Sequence, residues 1–203
     1  MRIALVAVLA LAAAPLLAQT PPSQPGTHDA SRVVAGDYTV DTGHTQVLFT
    51  VNHLGFTEYT GQFTQPTGSL TLDPANAAND KVEISFPIEQ VSTTVPGLNT
   101  HLKSADFFDA AKFPTGKFVS TKVTVSGETA TIEGNLTLKD VTKPIVLAAR
   151  FVGAGNAPMG AKKPYVGFAA TTSIKRSDFG ISYGIPMVSD RVDLVINAGF
   201  AQK

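Results

Sequence analysis

The chain has 203 residues, 16 Lys and Arg against 16 Asp and Glu, 43% hydrophobic residues and no Cys. Balanced charge without a basic run makes nucleic acid and anionic membrane surfaces poor partners. The lack of Cys excludes a disulfide framework, so stability has to come from packing and a continuous hydrogen-bonded sheet.

Met1 and Arg2 precede an almost unbroken Ala/Leu/Val run from Ile3 to Leu17 that ends at Ala18-Gln19. This predicts a secretory signal peptide over residues 1–18, too short to span a membrane, and hence export to the periplasm. No Cys follows it, so no stable membrane anchor of the lipoprotein type is expected. Residues 19–35 are rich in Pro, Ser, Gln and Thr and read as a flexible tail, in which His28 is given no role. Residues 36–203 read as one domain, long enough to enclose a substantial core.

Period-2 alternation starts at "TGHTQVLFTVNHLGF" (42–56), where one face carries Val47, Phe49 and Val51 and then His53. Weaker strands follow at 59–63 and 68–72. In "KVEISFPIE", Val82, Ile84, Phe86 and Ile88 share one face and charged or polar residues the other. The stretch 98–114 breaks the pattern: Asn99 or Ser104 as N-cap and Pro114 as terminator predict one or two short helices. Strands resume at 119–125 and 129–139, the latter with Ala130, Ile132, Gly134, Leu136 and Leu138 on one face, then at 145–151 and 166–174. The last is "RVDLVINAGF", with Val192, Leu194, Ile196, Ala198 and Phe200 in a row. Such rows mark strands with one buried and one wet face. Turns are expected at Leu54-Gly55, Gln65-Pro66, Asp73-Pro74, Ser126-Gly127, Lys143-Pro144 and from Gly153 to Pro164.

Consecutive strands without crossover helices predict an all-β fold, an eight-stranded antiparallel up-and-down barrel with one or two short helices. Gly61, Gly68, Ala130, Gly134, Ala149, Ala170 and Ala198 share parity with the large apolar residues, which suggests an interior left open. Gly and Ala also serve coiling and close packing in strands.

Three His residues lie in the domain: His44, His53 and His101. Their spacing matches no local zinc motif, and His44 and His53 fall on opposite faces of an unbroken strand. No Cys or GxSxG nucleophile is present, and Asp106 with Asp109 reads as solvated surface. Arg176 shares parity with Phe168, Ala170, Thr172 and Ile174, so a second apolar row ends in a polar group. It suits either an anionic or carbonyl-bearing headgroup, or an ion pair with Asp178 or Asp106.

Four stretches, "YTVDTGHTQVLFTVNHLGFTEYTGQF" (38–63), "THLKSADFFDAAKFP" (100–114), "EGNLTLKDVTKPIVL" (133–147) and "RSDFG" (176–180), together resemble the YceI family over residues 37–201. The resemblance implies a lipocalin-like barrel, exported to the periplasm and holding a long isoprenoid chain such as polyprenyl phosphate or an isoprenoid quinone. Many relatives carry an acid shortly before the "HL" of the second stretch, where this chain has Asn99, so headgroup recognition is where a departure is expected.

The leading expectation is a periplasmic lipid-binding barrel without a cofactor, for storage or transport. Phe49, Val51, Phe86, Leu136, Phe151, Phe168 and Ile196 would line the tail pocket, with His53, Asn99, His101 and Arg176 at its ends. The alternatives are an enzyme using His44, His53 or His101, with or without a metal, and a filled barrel acting through protein contacts in an envelope stress response. Pairing into a homodimer is open.

Overall fold

The structure is a computed structural model, and it describes residues 23–203. The expected signal peptide, 1–18, and the first residues of the tail lie outside the described residues.

The elements in chain order are β1 (Gly26–Thr27), β2 (Gly36–Val40), β3 (Gln46–His53), β4 (Thr57–Phe63), β5 (Thr67–Leu72), β6 (Lys81–Pro87), β7 (Val91–Ser92), α1 (Pro96–Lys103), β8 (Thr115–Ser126), β9 (Thr129–Leu138), β10 (Val141–Asn156), β11 (Pro164–Lys175) and β12 (Arg191–Gln202). All strand pairs are antiparallel, and β12 closes the sheet by pairing with β11 on one edge and with both β2 and β3 on the other. β2 with β3, β4 with β5, and β6 with β7 are each one long stave interrupted by a kink, which makes eight staves in an up-and-down order.

The kink between β2 and β3 is held by hydrogen bonds to one glycine. The Asp41 N–H donates to the Gly199 carbonyl at 2.8 Å, and Thr45 Oγ1 accepts the Gly199 N–H at 3.0 Å. Such a break lets one stave follow the coil of the sheet without losing its backbone partners.

Three local expectations need correction. Pro144 is not in a turn but inside β10, opposite Asn135; β11 begins to pair with β10 only at Ala148, so the missing N–H costs no ladder bond. The turn lies at Lys139-Asp140 instead. Asn99 and Ser104 are not N-caps: α1 begins with Pro96 at its first positions, after a Val95 that gives no side-chain cap, and Ser104 is its C-cap. Finally, the tail expected to be flexible is attached from Gly26 on, because β1 pairs with Gly155 and Ala154 of β10.

The core has two parts. Tyr38, Val40, Leu70, Phe151, Ala154, Val166 and Phe200 pack together at the end remote from α1 and form a floor. A larger cluster, including Phe63, Phe86, Phe118, Leu136 and Ile181, lines the rest of the barrel.

Candidate functional site

Above the floor the barrel encloses a cavity of about 660 Å³ with an almost wholly apolar lining. That lies within the range of sites that take up small organic molecules. On β9 the lining runs from Ala130 to Leu138; eight steps at roughly 3.3 Å make roughly 26 Å of strand. The space is therefore a long tube.

The openness has two local causes. Ala130, Ala149 and Ala170 are directly paired across β9, β10 and β11 and all face the cavity, so one wall is thin. On the other side the far ends of large rings sit over glycines. A Cβ on Gly61 would sit 2.2 Å from the Phe49 ring, one on Gly116 2.3 Å from Phe86, and one on Gly134 2.4 Å from Phe118. Gly61 and Gly134 thus make room for a neighbouring ring rather than directly for a ligand. Gly68 serves a close backbone approach, since its Cβ would fall on the Glu83 carbonyl.

The mouth is a closed circuit of four segments. The Leu54 N–H at the β3–β4 tip donates to the Met187 carbonyl at 2.8 Å. Tyr183, on the same loop as Met187, stacks edge-on with His101 of α1 at 5.0 Å. The segment leading into α1 returns to β4, where the Tyr59 and Thr94 hydroxyls are 3.3 Å apart.

Of the predicted ligand-contacting residues, Phe49, Val51, His53, Phe86, His101, Leu136, Phe168, Arg176 and Ile196 all line the cavity. Two do not. Phe151 packs in the floor, stacked on His28 at 5.5 Å: it shares the inward face of β10 with Leu147 and Ala149 but lies at the end that Tyr38, Val166 and Phe200 fill. Asn99 is turned to the strand before the helix, where its Oδ1 accepts from the Thr93 N–H at 2.6 Å and the Thr93 hydroxyl at 2.7 Å.

Neither reading of Arg176 matches its hydrogen bonds. The side chain is buried and donates to four backbone carbonyls, Ser189 through Nε, Ile181 and Tyr183 through one terminal nitrogen, and Val188 through the other, at 2.8–3.1 Å. Four of its five N–H groups therefore organise the 176–190 loop. Desolvation lowers its pKa, and nearby Asp190 acts against this. Asp190 is held in turn by the Ser177 N–H and hydroxyl at 2.8 Å.

The histidines are dispersed. His44 is exposed and hydrogen-bonded to Asp41 at 2.9 Å, His101 contacts Asp106 at 2.9 Å, and His53 stands exposed at the mouth. No group of three or more His, Cys, Asp or Glu side chains able to hold a metal occurs among the described residues.

Tyr59, Tyr183, Phe107 and Phe108 also line the cavity, and sequence reasoning misses them. Tyr183, Phe107 and Phe108 lie outside strands, where alternation says nothing of facing. The Phe107-Phe108 pair in an otherwise polar turn is the one available signal.

The geometry describes a tube that can hold an extended apolar molecule end-on, with imidazole and phenol groups at its mouth. Protein YceI of Escherichia coli O157:H7 is 40% identical over 177 residues, covering 86% of this chain and 92% of that protein. A Campylobacter jejuni YceI protein of known crystal structure is 31% identical with a TM-score of 0.66, covering 75% of this chain and 90% of that one. A polyisoprenoid binding domain from Saccharophagus degradans, at 14% identity, shares the fold with a TM-score of 0.58 over 82% of this chain and 98% of its own. The YceI-like domain model matches residues 38–200, and the chain belongs to that family.

Proposed function

We propose that the protein carries a long isoprenoid lipid, a polyprenyl phosphate or an isoprenoid quinone, in its barrel within the periplasm, for storage or transport. The cavity carries this reading: it is long and apolar, which suits a chain and not a compact polar metabolite. About 0.8 kcal/mol per buried CH₂ means that some fifteen carbons approach the roughly 12 kcal/mol of a nanomolar complex, before association costs are subtracted. The fold shared with a polyisoprenoid binding domain supports the same cargo class. An open interior also removes the ground for the filled-barrel alternative.

The mouth favours the quinone over the phosphate. Arg176 is committed to backbone carbonyls, leaving His53, Tyr59, Thr93, His101 and Tyr183 as the polar lining there. These suit a carbonyl or hydroxyl headgroup better than a dianion.

Native mass spectrometry with solvent extraction, on protein purified from its own periplasm, tests the proposal. One polyprenyl species per chain is expected. A bare protein mass with no apolar extract would sink it.

A further inference from the structure

The rim of the mouth is apolar on its outside as well. Among the described residues, five exposed large hydrophobics are not valine: Leu54, Phe56, Met159, Tyr183 and Met187. Four of the five surround the mouth, with Phe56 87% and Met187 63% exposed; Val95, 49% exposed, joins them on the rim. They are contiguous because Leu54 is hydrogen-bonded to Met187 and a backbone bridge joins His53 to Val188.

Three segments of this rim lack charge, and the charges of the adjoining 101–113 segment, Lys103, Asp106, Asp109 and Lys112, balance in sign. Leu54–Thr57, Gln90–Thr100 and Phe179–Ser189 contain no Asp, Glu, Lys or Arg. The turns at the floor end carry Asp73, Asp80, Glu128, Lys162 and Lys163. Exposed apolar groups are ordinary when scattered, but a cluster of them at the mouth of an apolar tube is not.

We infer that this rim is a membrane-docking surface, which dips Phe56, Met187 and their neighbours into the interfacial region of a neutral or zwitterionic leaflet. The three charge-free segments, with no net charge on the segment beside them, select that occupant over an anionic surface or a charged protein partner. Continuity with the cavity supplies the purpose. Building on the lipid-carrier reading, a prenyl chain passes from leaflet to tube through the rim without crossing water, so attachment is shallow, reversible and insensitive to salt.

The chain has no Trp, so a single introduced indole reports without background. F56W at the rim and M159W at the floor end, 81% exposed in the parent, are each mixed with vesicles of brominated phosphatidylcholine. Quenching of F56W but not M159W, unchanged by salt, is expected. An unquenched F56W, or equal quenching of both, overturns the proposal. So does a blue shift of F56W on raising protein concentration without vesicles, which would assign the rim to a second copy. In a companion measurement, Phe56→Ser combined with Met187→Ser should slow delivery of a fluorescent prenyl alcohol from vesicles about tenfold or more, with the lipid extracted per chain unchanged. An unchanged delivery rate also overturns it. Selective quenching by a protein that yields no lipid would sink the cargo reading and keep the docking surface; lipid in the extract without quenching would do the reverse.

Discussion

Two walls of the barrel keep the same cavity open by different means. Across β9, β10 and β11 the room comes from alanine paired with alanine, where nothing projects. Across β3, β4, β6, β8 and β9 it comes from phenyl rings whose far ends sit over glycines. The alanine wall is open by omission, and its backbone tolerates a larger side chain that reaches into free space. The ringed wall is open by fit, so an added methyl displaces something already packed.

The largest difference should appear within the ringed wall. A methyl at Gly134 would lie 2.6 Å from the Val119 carbonyl oxygen as well as against the Phe118 ring, whereas at Gly61 it meets only the far end of the Phe49 ring. Gly134→Ala should therefore cost about 2 kcal/mol or more in chemical denaturation. Gly61→Ala should cost less, since Phe49 can swing into the cavity. Equal losses would mean that the Val119 backbone yields as easily as a ring.

The alanine wall makes the opposite prediction. Ala149→Phe should change stability by less than about 1.5 kcal/mol, because the ring enters free volume, while the lipid extracted per chain falls by half or more. Full lipid retention would show that the cargo does not reach that layer.

The smallest expected effect concerns the outer end of β10. His28 donates through Nδ1 to the Val152 carbonyl at 3.2 Å and through Nε2 to Glu128 at 2.8 Å, an arrangement that needs the imidazolium. The Val152 and Glu128 contacts raise its pKa above the usual 6.5. A raised folded value means that its contribution is fully present below about pH 6.5 and is lost as pH rises through the folded pKa. Hydrogen exchange at Gly26 and Thr27 should accelerate as pH rises above about 6.5 by more than the intrinsic base-catalysed rate, and His28→Ala should abolish the excess. An identical pH profile in that variant would remove His28 from the attachment of β1.

Much of this architecture is legible locally. Strict alternation in "KVEISFPIE" and "RVDLVINAGF" identifies strands and their buried faces, since a two-residue period leaves a single choice of face. The row Val47, Phe49, Val51, His53 does line the cavity, with His53 exposed at its mouth. An apolar row ends in a polar group there because the tube ends there. The same pattern at Arg176 has another meaning. Its guanidinium is buried and bound to backbone carbonyls contributed by residues up to 13 positions away, partners that no spacing within the apolar row can show. Phe151 fails for a related reason: it faces inward as alternation predicts, but Tyr38, Val166 and Phe200, which fill the barrel beside it, come from other strands.

Alternation, turn residues and the lack of crossover helices are enough to establish an antiparallel meander with an apolar inner face, because each depends on contacts between chain neighbours or adjacent strands. Whether that face encloses space or fills it depends on pairs such as Phe86 with Gly116, 30 residues apart and matched only by register. The four-segment mouth, the commitment of Arg176 and the apolar rim likewise exist only after closure, which sets distant segments beside one another.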